Sequence, residues 1–156
     1  MDSYSQVESR IDEVLGSKTG QDALQGMVDA LQESFEHYGW TGIYLVEGDE
    51  LVLAAWNGPQ ATEHVRIPVG QGVCGAAAAS GETEVVDDVS EDPRYLMCFP
   101  GTRSEIVVPI KAGERVLGEI DIDSDALAAF TPRDREFLES VASRLAESLE
   151  RWGSRR

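Results

Sequence analysis

Glu105-Ile106-Val107-Val108-Pro109-Ile110, then Lys111-Ala112-Gly113-Glu114, then Arg115 through Asp123, reads as a β-hairpin. Two apolar runs flank a short Gly-containing turn. The returning arm, Val116-Leu117-Gly118-Glu119-Ile120-Asp121-Ile122, carries carboxylates within an apolar strand. Asp121 and Asp123 are two residues apart, so they share a face. If the register brings Glu105 opposite them, three carboxylates meet. The plainer reading is a strand whose polar residues alternate toward solvent.

Working outward, the order of elements is regular. Upstream lies a long loop over 87–103, broken by Pro93, Pro100 and Gly101. A loop of that length in a compact domain is commonly functional. Before it come a short strand, Thr83 to Val86, and a short helix over 73–79 that ends at Gly81. The run Ala76 to Ala79 gives that helix a face suited to tight packing. The turn Gly70-Gln71-Gly72 and a strand over 64–68 precede it. A first hairpin pairs Thr41 to Val46 with Leu51 to Trp56 around Glu47 to Glu50, and Trp56 is expected in the core. Leu24, Met27, Val28, Leu31 and Phe35 predict an amphipathic helix over 20–38. Val7, Ile11 and Leu15 predict a weaker one over 3–16. Downstream, Thr131-Pro132-x-Asp134 is an N-cap box. Phe137, Leu138, Val141, Leu145 and Leu149 continue it as a helix, with Trp152 and the terminal arginines as its frayed end. The expected fold class is α+β: a mostly antiparallel sheet of about six strands flanked by N- and C-terminal helices. All 156 residues are expected to form one domain.

The formal net charge is −16, from 29 acidic and 13 basic residues. Such a chain repels phosphate backbones and anionic bilayers, so nucleic acid and membrane surfaces are poor partners. The charge is spread along the chain, which suits a solvated surface in high salt and raises the expectation of a halophilic source. No apolar run is long enough to span a bilayer, and the start is polar and acidic, so the expected location is cytoplasmic. The two cysteines, Cys74 and Cys98, are too few for a disulfide scaffold. His37, His64, Cys74 and Cys98 match no common zinc spacing, so neither a metal nor another cofactor is expected. Taken alone, His37 reads as a solvated residue at a helix end and His64 as an exposed strand residue.

Gly70-Gln71-Gly72-Val73-Cys74-Gly75, Asp92-Pro93-Arg94-Tyr95, Ser104 to Pro109 and Gly118 to Ser124 together resemble a GAF domain. The resemblance is narrower to the free methionine-(R)-sulfoxide reductases, which are stand-alone GAF domains. It rests on the Gly72–Gly75 turn, on Cys98 before Arg103 to Val107, and on Asp121-Ile122-Asp123-Ser124. The resemblance implies Cys98 as nucleophile and Cys74 as resolving thiol. It implies Glu105, Asp121 and Asp123 as pocket carboxylates. Trp40 and Tyr44 of Trp40-x-Gly42-Ile43-Tyr44 become substrate-binding aromatics, with Trp40 at the methyl end. The implied partners are free methionine sulfoxide and a thioredoxin-like dithiol. A homodimer through the terminal helices is a further expectation. Two departures stand out: His64 occupies the position of a third family cysteine, and Tyr95 to Pro100 differs from the usual loop.

The chemistry fits those residue types. A thiolate takes the sulfoxide oxygen and becomes a sulfenic acid, and a second thiol condenses with it to a disulfide. Protonation helps the oxygen leave, and clustered carboxylates keep one of their number neutral. A module that binds a small ligand or senses redox state without turnover is the alternative, suggested by the sensor-like Asp92-Pro93-Arg94-Tyr95.

Overall fold

The structure is a computed structural model that describes residues 2–96 and 99–153. Its elements are α1 (Ser3–Ser17), α2 (Gly20–Ser34), β1 (Trp40–Glu47), β2 (Glu50–Asn57), β3 (Arg66–Pro68), α3 (Gly72–Ser80), β4 (Glu84–Val86), β5 (Ser104–Ala112), β6 (Arg115–Ser124) and α4 (Pro132–Gly153). The six strands form one sheet in the order β3-β2-β1-β6-β5-β4, with every neighbouring pair antiparallel.

Alternation along the strands divides the core in two. Ile106, Val108 and Ile110 of β5 and Ile120 and Ile122 of β6 face α1, α2 and α4. There they pack with Ile11, Met27, Leu31, Phe137, Val141 and Leu145, which lie at helical spacing. The residues between them face α3 and the long loop. That second core contains Trp40, Tyr44, Val73, Cys74, Ala77, Phe99 and Val107. α3 sits close to the sheet because Gly75 has no side chain: a Cβ there would meet the Pro68 carbonyl oxygen at 2.7 Å.

Some boundaries differ from the sequence reading. α2 ends at Ser34, because Phe35 is already extended (φ −132°, ψ 122°). The chain then turns, and Tyr38 reaches Asp134 instead of continuing the helix. β3 pairs only over Arg66–Pro68, so His64 lies before it. The long loop contains a 3-10 turn at Val89–Glu91, capped by the Asp88 side chain. Trp56 is half-buried rather than a core residue, with its ring stacked on Trp40 at 6.4 Å. Trp152 is half-buried against the helix-side core rather than frayed.

His37 is not simply solvated. Its Nε2 lies 3.0 Å from Asp134 Oδ1, in a hub at the start of α4. Asp134 Oδ1 also accepts from the hydroxyls of Tyr38 (2.8 Å) and Tyr4 (3.1 Å). Its Oδ2 accepts from the Thr131 amide (2.9 Å) and hydroxyl (3.0 Å), the expected capping box.

Candidate functional site

Three rows of side chains cross β1, β6 and β5 on the face toward α3. Register sets Trp40 opposite Asp123 and Asp123 opposite Glu105. The next row is Gly42, Asp121 and Val107, and the third is Tyr44, Glu119 and Pro109. Glu105, Asp121 and Asp123 therefore converge. They are buried, not solvent-facing: Glu105 is 4% exposed, Asp121 1% and Asp123 3%.

α3 closes this face. Its first turn presents Cys74, whose Sγ lies 3.3 Å from Asp121 Oδ2. Donor atoms of Cys74, Glu105 and Asp121 all lie within 4.8 Å of one another, close enough for one cation to bridge them. Burial, then the negative fields of Asp121, Glu119 and Glu105, push the Cys74 thiol well above its usual range. Burial also raises Asp121, partly offset by Glu105 and Cys74. It raises Asp123 further with the help of Asp121's charge. Both shifts favour the protonated, neutral form of the carboxyl.

The wall beyond β1 is aromatic. The Trp40 ring lies across Gly42, where any Cβ would collide with its Cη2 and Cζ3 atoms. Phe99 tilts against Trp40 at 5.6 Å, and Trp56 stacks behind it. A cleft of about 210 Å³ opens between Trp40, Phe99, Gly101 and Asp123. It leads toward the carboxylates and is bordered by an apolar ring and an acid. A larger cleft of about 540 Å³, between β5 and α4, holds Thr83, Arg135 and Glu139. There the polar groups already pair with one another, with Thr83 donating to Glu139 at 2.6 Å and Arg135 at 3.3 Å.

Tyr44 is fully buried on the pocket face, and its hydroxyl donates to the His64 carbonyl at 2.7 Å. Arg94 of Asp92-Pro93-Arg94-Tyr95 clasps Asp92 and Glu84, which fixes the loop to β4. Cys98 lies outside the described residues. On either side of it, Leu96 covers Gly72 on α3, and Phe99 packs on Trp40.

The chain matches the GAF domain family model over residues 19–149. The chain belongs to the GAF family. It is 37% identical over 119 residues to the free methionine-R-sulfoxide reductase of Escherichia coli, covering 76% of this chain and 71% of that one. The fold resembles the free methionine-R-sulfoxide reductase of Neisseria meningitidis in complex with its substrate, with a TM-score of 0.85 and 37% identity over 96% of this chain and 92% of that one. It also resembles the type II free methionine-R-sulfoxide reductase of Thermoplasma acidophilum, with a TM-score of 0.78 and 35% identity over 96% of each chain. No helix among the described residues is long and apolar enough to cross a membrane.

Two residues of this GAF site escaped the sequence reading. Glu119 is 0% exposed, and neither of its oxygens has a hydrogen-bond partner among the described residues. Burial, then Asp121's charge, raise it well above the usual carboxylate range. Its signal was present: Glu119-Ile120-Asp121-Ile122-Asp123 alternates without a break. Phe99 was the other, and only the fold brings it to Trp40.

Proposed function

We propose that this protein is an oxidoreductase that reduces free L-methionine (R)-sulfoxide to methionine by a two-cysteine cycle. The observation that carries the reading is the buried Cys74–Asp121 contact at 3.3 Å beneath the Trp40 wall. The kinship with free methionine-R-sulfoxide reductases supports it.

The substrate enters past Phe99 with its methyl group against Trp40 and its ammonium toward the ionised member of the carboxylate group. The Cys98 thiolate attacks the sulfoxide sulfur. A neutral carboxyl protonates the oxygen, which leaves on Cys98 as a sulfenic acid while methionine departs. Cys74 then attacks the Cys98 sulfur. Asp121 receives the Cys74 proton and returns it to the departing hydroxide, so one water leaves as the disulfide forms. A thioredoxin-like dithiol reduces that disulfide. No third thiol takes part, because His64 stands where one would be.

Consumption of free methionine (R)-sulfoxide with thioredoxin tests the reading, with the (S)-epimer and Cys98→Ser as controls. Turnover of the (R)-epimer alone, abolished in Cys98→Ser, supports it. Equal turnover of both epimers, or full activity in Cys98→Ser, refutes it.

A further inference from the structure

The pocket gathers more buried carboxyl and thiol groups than one substrate ammonium can pair with. Cys74, Glu105 and Asp121 offer three ligand atoms within 4.8 Å of one another. Their Sγ–Oδ2 separation of 3.3 Å is near the ligand–ligand spacing of a tetrahedral zinc site, about 3.5 Å for Zn–S and Zn–O bonds of ordinary length. Outside this trio, Glu119 is fully buried beside Cys74 with both oxygens unpartnered among the described residues. Asp121 Oδ1 is also unpartnered. A buried carboxyl without a donor is expensive unless something else occupies the space.

We infer that the reduced protein binds one zinc-class divalent ion through Cys74, Glu105 and Asp121, with Glu119 beside the site. One thiolate with carboxylates suits a borderline-soft cation, whereas magnesium and calcium prefer oxygen alone. The ion takes the place of the Cys74 thiol proton, and binding therefore releases protons. Sequence spacing does not reveal the site, because its ligands come from α3, β5 and β6 rather than from a Cys/His run. Resting on the proposed function, the ion and the substrate ammonium compete for the same carboxylates, and bound metal holds the resolving sulfur away from Cys98. Free zinc then inhibits the reductase.

The test is a titration of the reduced full chain with Zn2+ by calorimetry, and with Co2+ by thiolate-to-metal absorption. The inference predicts one tight equivalent and a cobalt–thiolate band. Cys74→Ser removes the band and weakens zinc at least tenfold. Asp121→Asn weakens it comparably in a chain whose thiols are intact, and Cys98→Ser leaves both readouts unchanged. In Cys98→Ser, which does not turn over, methionine sulfoxide weakens apparent zinc affinity in proportion to its concentration. Several weak equivalents insensitive to Cys74→Ser, or no band at all, overturn the inference. Turnover measured in chelator judges the reductase reading separately: an inactive protein with the band loses that reading and keeps the metal site. An active protein without the band does the reverse.

Discussion

Asp134 and Asp121 are each 1% exposed, and the protein treats them in opposite ways. Asp134 is surrounded by donors: two tyrosine hydroxyls, His37, and the amide and hydroxyl of Thr131. Burial alone would raise its pKa. The bonds from His37, Thr131 and Tyr38, with the charge of His37, outweigh it and hold the carboxyl well below the usual range. Asp121 has only the Cys74 thiol and Glu105 to set against burial, and its pKa rises. One carboxylate ties α1, the α2–β1 turn and α4 together. The other is buried among a thiol and further carboxyls. Structural sites satisfy their polar groups internally, while binding sites leave them for the ligand.

Asp134→Ala is the largest perturbation expected. It orphans five donors around a buried position and costs about 3–5 kcal/mol in urea unfolding. The native pKa of Asp134 is depressed, so its contribution is present above the unfolded-state value of about 3.9 and is lost as pH falls below it. Stability measured from pH 6 to 2 should therefore fall less steeply in Asp134→Asn than in the wild type. Equal acid limbs in the two proteins would show that the hub does not hold the charge.

Gly42→Ala comes next. Its Cβ drives into the Trp40 ring, which backs onto Gly58 and Trp56. The expected result is a loss of about 1–3 kcal/mol and at least a tenfold rise in KM for the sulfoxide. A normal KM would remove Trp40 from the binding wall.

Glu119→Leu reverses the sign. Replacing a buried, unpartnered carboxyl with an apolar group of similar size should stabilise the fold by about 1–2 kcal/mol in thermal melts. The same exchange at Asp134 should destabilise it. If both exchanges lower the melting temperature, the two carboxylates are not treated differently.

Much of this contrast was legible in the sequence. Thr131-Pro132-x-Asp134 announced the cap, because capping is a local interaction over three residues. Period-two alternation announced the shared face of Asp121 and Asp123. Burial of that face was not legible, since the same alternation describes a solvent-facing strand until α3 is seen to cover it. Glu119 was hidden for the same reason. His37 joined Asp134 across 97 residues, and Phe99 met Trp40 across the sheet, through contacts that no local pattern encodes. The extent of α2 was overestimated because Phe35 continues the apolar spacing of Leu31 yet is already extended.

A single-turnover experiment without external reductant tests the central claim most directly. Reduced wild type and Cys74→Ser are mixed with excess free methionine (R)-sulfoxide, and methionine and the state of the thiols are quantified. The two-cysteine account predicts one methionine per chain in both proteins. It predicts a Cys74–Cys98 disulfide in the wild type and a trappable Cys98 sulfenic acid in Cys74→Ser. No methionine from Cys74→Ser, or no disulfide in the wild type, would contradict it.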